Sequence, residues 1–184
     1  MKKTFFYACL FIVMSIKADA QIEIKIQPLA IIAKSVSIGM EYGLKPHFGV
    51  ELEYQYASKL TGTLQSQYKA NALWLGAKKY FNKDILLSKF YAGGYSSYMK
   101  GQFAYTSSSV KHIEQLSMFS LGATGGYKAV KMKNHLILEV GLNLGKRFSY
   151  INGRLIDDTY FDKEQIKFFY YWDISLRLLV GYRF

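Results

Sequence analysis

The chain has 184 residues, 51% hydrophobic and 17% aromatic, with a net charge of +11 and one cysteine. That length fits one domain, and a lone cysteine excludes a disulfide framework or a cysteine-ligated metal site. A basic, aromatic-rich balance points to nucleic acid in a cytosolic protein, but the first twenty residues exclude that compartment.

Those residues carry Lys2 and Lys3, an apolar run from Phe5 to Ile16, and Ala18-Asp19-Ala20. The order predicts a secretory signal peptide over residues 1–20, cleaved before Gln21, and a single domain over residues 21–184. The apolar run is too short to cross a bilayer as a helix, and it contains Cys9, so the mature chain has no thiol. After the signal, 21 basic side chains face 12 acidic ones, a net charge of +9. No later stretch reaches the apolar length of a transmembrane helix, and the two prolines, Pro28 and Pro46, form no linker. The expected anionic partners are therefore lipopolysaccharide phosphates and outer-membrane lipid, not nucleic acid.

From Gln21 onward the dominant pattern is a period of two, which places alternate side chains on opposite faces of a strand. Ile22, Ile24 and Ile26 oppose Glu23, Lys25 and Gln27, and Val36, Ile38, Met40 and Tyr42 oppose Ser35, Ser37, Gly39 and Glu41. A tilted spanning strand needs about 9–11 residues. The segment from Ile22 to Tyr42 is about twice that, which predicts two strands joined near Ala30 to Lys34. Next, Phe48, Val50, Leu52, Tyr54 and Tyr56 oppose Gly49, Glu51, Glu53 and Gln55. Softer alternation marks strands at about 67–81, 89–105 and 112–130, with Leu73, Leu75, Phe119 and Leu121 facing outward. Gly93-Gly94 and Gly125-Gly126 mark bends in these strands. Leu136, Leu138, Val140, Leu142 and Leu144 oppose Glu139, Gly141, Asn143, Gly145 and Arg147.

The last element, Phe168 to Phe184, sets every even position apolar or aromatic, ending on Tyr182 and Phe184, against Asp173, Ser175, Arg177 and Arg183. A strand this apolar, with nothing after it to cover its edge, requires a pairing strand or a bilayer. The expected fold is all-β: a transmembrane up-and-down antiparallel barrel of eight strands, apolar outside and polar within. Its termini and the connections at Gly43–His47, Asn82–Lys89 and Lys131–His135 lie in the periplasm. The loops Lys59–Gln67, Thr106–Lys111 and Ile151–Lys167 (with Asp157, Asp158 and Asp162) lie outside. A soluble barrel with its apolar face inward around a ligand is the alternative.

The GYRF terminus, the Lys-bearing leader and the run QPLAIIAKSVSIGMEYGL (Gln27–Leu44) together resemble the small outer-membrane β-barrel proteins of Bacteroidota, several families of which have no assigned function. The resemblance implies an outer-membrane location in a Gram-negative bacterium. It also implies that Tyr182 and Phe184 form the signal read by the barrel-assembly machinery.

For function, the charged members of the polar faces are the informative residues. Glu41, Glu51, Glu53, Lys78, Glu139 and Arg177 all fall near periplasmic strand ends, inside a lumen only wide enough for side chains. Buried charges so close must pair. They are expected to plug a non-enzymatic barrel that serves envelope structure, or binds a surface partner through its outer loops; the pairing of Arg177 with Glu139 is one candidate contact. A small channel through the same carboxylates is one alternative. A lipid A-modifying enzyme is another, built on His112 with Ser109 and Glu114, with Ser107 and Ser108 alongside; His47 and His135 fall in turns. No phosphate loop, metal-ligand spacing or cofactor motif appears.

Overall fold

The computed structural model describes residues 21–32, 34–45, 47–61, 66–81, 87–107, 110–131, 135–152, 154–155 and 171–184. Residues 1–20, expected to be a signal peptide, and Ser108, Ser109, Asp157, Asp158, Asp162, Phe168 and Tyr170 lie outside them, as do the side chains of Ser107 and His112.

The strands are β1 (Ile22–Ile26), β2 (Ser35–Lys45), β3 (Phe48–Thr61), β4 (Ser66–Tyr80), β5 (Lys89–Ser107), β6 (Val110–Lys131), β7 (Leu136–Ile151), β8 (Arg154–Leu155) and β9 (Trp172–Arg183). Each pairs antiparallel with its neighbours, β1 pairs with β9, and β6 pairs with β7. The ring closes with eight staves, since β8 is only a two-residue extension on the tip of β7. Segment 22–42 does divide into two strands, joined by a short helix α1 (Pro28–Ile32) and Lys34 at φ 56°.

Pair by pair, the ladder runs from Arg183 through Glu23, Glu41, Glu51, Gly76, Tyr95, Gly122 and Gly145, and returns to β9 at Asp173, ten residues from its start. That stagger tilts the strands by about 40° and leaves an interior that side chains can fill.

The facing is polar inside and apolar outside. Along β7, Glu139 is 0% exposed while Val140 is 49% and Leu142 51% exposed. Leu73, Leu75, Phe119 and Leu121 are exposed as expected. The inward-apolar soluble barrel is thereby overturned, because a lumen holding Glu, Lys and Arg leaves no room for the apolar rows. One ladder level carries Tyr54, Tyr98, Phe119 and Phe148 on the outer surface. Phe81, Phe90, Tyr127, Tyr182 and Phe184 are exposed near the other end. Aromatics at both margins of an apolar belt match the interfacial girdles of a transmembrane barrel. No described helix is long and apolar enough to cross a membrane, which leaves crossing by strands open.

Three boundaries differ from expectation. β3 runs to Thr61 and β4 starts at Ser66, and β5 and β6 reach Ser107 and Val110, so the hairpins are longer than the apolar pattern indicates. Past the exposed apolar belt a hairpin can have both faces wet, and a strand there needs only ladder hydrogen bonds. Conversely, β1 stops at Ile26, because Pro28 has no N–H to give the ladder and its fixed φ suits the first position of a helix.

Glycine lets bulky rings lie flat across the lumen. A side chain at Gly141 or Gly145 would strike the hydroxyl of Tyr91 or Tyr95, and one at Gly76 would strike the ring of Trp74. Gly93 and Gly126 likewise sit against the backbone of the neighbouring strand.

Candidate functional site

Where the termini and short turns gather, the inward rows bring ten charged side chains together. Glu23 and Lys25 come from β1, Glu41 from β2, Glu51 and Glu53 from β3, Lys78 from β4, Lys128 from β6, Glu139 from β7, and Arg177 and Arg183 from β9. None is more than 3% exposed. Five are acidic and five basic, so the assembly is neutral as a whole.

Lys25 sits at its centre. Its Nζ donates to Glu51 at 2.8 Å, to Glu139 at 2.6 Å and to Glu41. The carboxylates of Glu41, Glu51 and Glu139 lie close enough together to suit a cation, and the Lys25 ammonium already bonds to all three. Lys78 bridges Glu51 and Glu139. Lys128 bridges Glu23 at 2.7 Å and Glu41 at 2.9 Å. Arg183 closes the lowest layer, donating to Glu23 at 2.6 Å and to the Leu87 carbonyl at 3.1 Å. At the top, Arg177 donates through one nitrogen to Glu51 and Glu53, and Glu53 also accepts from Ser37 and from Gln55 at 2.7 Å.

Rings frame the charges. Lys128 lies 4.5 Å from the centroid of Tyr80, Lys78 4.6 Å from that of Tyr91, and the Arg177 guanidinium 4.0 Å from that of Trp74. A cation over an aromatic face gains quadrupole attraction, most strongly where water is absent. Tyr80 also donates its hydroxyl to Glu41 at 2.6 Å. Tyr80 and Tyr91 pack with Leu87 across the mouth below. Every carboxylate thus has at least one cationic donor, the condition under which buried charges are tolerated.

All six residues expected in the lumen, Glu41, Glu51, Glu53, Lys78, Glu139 and Arg177, are found in this cluster. The direct contact between Arg177 and Glu139 is not formed: Arg177 goes to Glu51 and Glu53, while Glu139 goes to Lys25 and Lys78. Glu139 is paired across the ladder with Leu179, two residues below Arg177, and Lys25 reaches it first. The sequence reading omitted Glu23, Lys25, Lys128 and Arg183. Parity places Glu23, Lys25 and Arg183 inward, and that signal was available. Lys128 follows two glycines, where alternation is weak.

At the chain's end, Tyr182 stacks on His135 and meets Phe184 edge-on at 5.0 Å between centroids. Phe184 donates its N–H to Ile22, so the terminal aromatics are held on the closing seam between β1 and β9. His135 accordingly has a packing role, with Nδ1 2.9 Å from the Arg183 carbonyl oxygen. His47 occupies the turn between β2 and β3 at φ 71°. Of the His112, Ser109 and Glu114 grouping, only the Glu114 side chain falls within the described residues.

A family model described as a protein of unknown function (DUF3575) matches residues 4–168. Among solved structures, the chain is similar to the N-terminal β-barrel domain of Pseudomonas aeruginosa OprF, with 14% identity over 90% of this chain and 96% of that one and a TM-score of 0.47. It is likewise similar to Neisserial surface protein A (NspA), with 12% identity over 90% of this chain and 96% of that one and a TM-score of 0.48. Comparison with curated protein sequences finds no match.

Proposed function

The chain belongs to the DUF3575 family of proteins of unknown function, and from that premise we propose that it is a non-enzymatic barrel of the Gram-negative outer membrane, closed to ions and serving envelope structure or surface interaction. The observation that carries this reading is the neutral, fully buried network of five carboxylates and five cations across the lumen. An ion crossing it would have to break several charge-assisted bonds at once, each stronger in this dry interior than in water.

The membrane location rests on the exposed apolar belt and its aromatic margins, and the Bacteroidota lineage on the sequence resemblance alone. In this orientation the termini face the periplasm, where Tyr182 and Phe184 would meet the assembly machinery, and the long hairpins face outward. β5 continues from the aromatic level at Tyr98 to Ser107, which projects the β5–β6 hairpin roughly 20 Å beyond the bilayer. A hairpin of that reach suits contact with lipopolysaccharide or a surface partner.

The test is electrical. Purified protein in planar bilayers is expected to show no stable conductance at neutral pH. Steady, ion-selective currents would refute the plug and establish a channel.

A further inference from the structure

The charges of the barrel are sorted by face. Among the described residues, Glu23, Glu41, Glu51, Glu53, Glu139 and Asp173 are buried and Glu114 is half-buried, while the fully exposed charged side chains are all lysines. The described outer wall therefore presents positive charge alone, and three of these lysines gather at one place on it.

On β5, Lys100 is the next outward position beyond Tyr98, at the outer margin of the apolar belt, and it pairs across the ladder with Asn71 of β4. Lys69, the next outward position on β4, pairs with Gln102. Lys69 and Lys100 are thus diagonal neighbours on one face, with Cβ atoms within about 7–8 Å. Each ladder row rises toward the outer end in passing from β4 to β5, as the stagger of the barrel requires, so both reach a similar depth. Lys34, exposed at the head of β2, accepts the Ser58 N–H on its carbonyl at 3.3 Å, and Ser58 pairs with Lys69. Two strand spacings, about 10 Å, therefore separate Lys34 from Lys69. Among the described residues no carboxylate pairs with any of the three.

Neutral donors lie between them. Tyr54 donates its hydroxyl to Asn71 Oδ1 at 2.6 Å, which leaves the Nδ2 group of Asn71 to donate elsewhere. Asn71 pairs with Tyr56 on one side and Lys100 on the other, and the exposed Tyr56 adds a phenolic hydroxyl. The patch is rich in donors and holds no acid, the reverse of the balanced lumen. An anion with several acceptor oxygens is its complement.

Position decides which anion. Directly below the patch run the exposed apolar and aromatic side chains of Ile38, Leu73 and Tyr98, so a charged group seated on the lysines stands over hydrocarbon, as a lipid headgroup does. A patch that reaches from β2 to β5, with hydroxyl and amide donors among its charges, suits a phosphorylated sugar better than a single glycerophosphate. We infer that it binds a phosphate of lipid A, with Lys69 and Lys100 clasping the phosphate, Asn71 donating beside them, and Lys34 reaching the same headgroup from β2. The acyl chains then lie along the wall over Leu73 and Ile38. This inference rests on the outer-membrane orientation proposed above, and it gives the lipopolysaccharide contact a definite place.

Protein folded in detergent micelles can be titrated with phosphorylated lipid A, with the same lipid A after removal of its phosphate, and with phosphatidylglycerol, and bound lipid counted by native mass spectrometry. Phosphorylated lipid A should bind at least about tenfold tighter than either of the others. Lys69→Gln with Lys100→Gln should weaken it about 25-fold, at about fivefold for each lysine, while the heat-modifiable folded band is kept. Lys79→Gln with Lys131→Gln removes the same charge from the exposed face near the other end of the barrel and should change the affinity by less than about twofold, since electrostatic attraction fades within a Debye length. Equal weakening by the two pairs would reduce the effect to net charge and overturn the inference. Equal binding of phosphatidylglycerol would assign the patch to any anionic phospholipid and overturn it too, as would indifference to the phosphate. These results leave the membrane reading standing; a protein that fails to fold into lipid vesicles would overturn that reading, and the inference with it.

Discussion

The sharpest test of the plug is Lys25. Its ammonium bonds to Glu41, Glu51 and Glu139, it is completely buried, and it comes from the shortest stave of the barrel. Lys25→Met keeps most of the stem and so removes the charge without opening a large cavity. It leaves five carboxylates facing four cations, Lys78, Lys128, Arg177 and Arg183. Removing one partner of a buried ion pair costs about 3–5 kcal/mol, because the stranded charge stays desolvated. With three carboxylates losing a donor together, the upper part of that range is expected. Adding Glu139→Gln restores neutrality, and the double variant should recover about 2 kcal/mol, within the coupling found for groups in one network. The assay is reversible guanidinium unfolding in lipid vesicles, followed by tryptophan fluorescence and by band shift on unheated gels. A Lys25→Met protein within about 1 kcal/mol of wild type would refute the argument. Strict additivity of the two substitutions would refute the network while leaving the fold intact.

Other outcomes follow from the same geometry. Arg177→Gln should destabilise the barrel, and Glu53→Gln in the same molecule should relieve it more than Glu139→Gln does, since Arg177 touches Glu53 and not Glu139; equal relief in double-mutant cycles would contradict that pairing. On the outer surface, Leu142→Arg should cost about 2–4 kcal/mol if it lies near the bilayer midplane, whereas Asn143→Ala, facing the lumen, should cost about 1 kcal/mol; equal costs in unfolding titrations would mean the facing is wrong. Phe184→Asp is expected to lower the heat-modifiable fraction recovered in outer membranes, and normal assembly of both that variant and Tyr182→Asp would remove the terminal aromatics from the assembly signal. Lipid A from cells with and without the protein should give the same mass spectrum, and a change in acylation would favour the enzyme alternative.

Much of this protein is legible in one dimension because the strand period is local. Ile24 beside Lys25, or Val140 beside Glu139, states on which sides of the wall the two residues stand, whatever pairs with the strand. The expected strand number follows from the length a bilayer would demand, and the even count from a leader that would bring both termini to one side. Parity alone could not say which face was inside; that followed once ten charges and the bulk of Trp74, Tyr80 and Tyr91 had to share one narrow lumen. The partners inside are also beyond a local reading. Arg183 and Glu23 meet across 160 positions, and Lys25 reaches Glu139 across 114, because ring closure and a ten-residue stagger decide which inward side chains share a level. The same stagger sets Arg177 against Glu51 and Glu53. Pro28 is visible in the sequence as a ladder breaker, but that its break leaves Trp172–Leu179 of β9 paired, among the described residues, only with β7 depends on β9 being the neighbour of β1. Only the closed barrel makes it so.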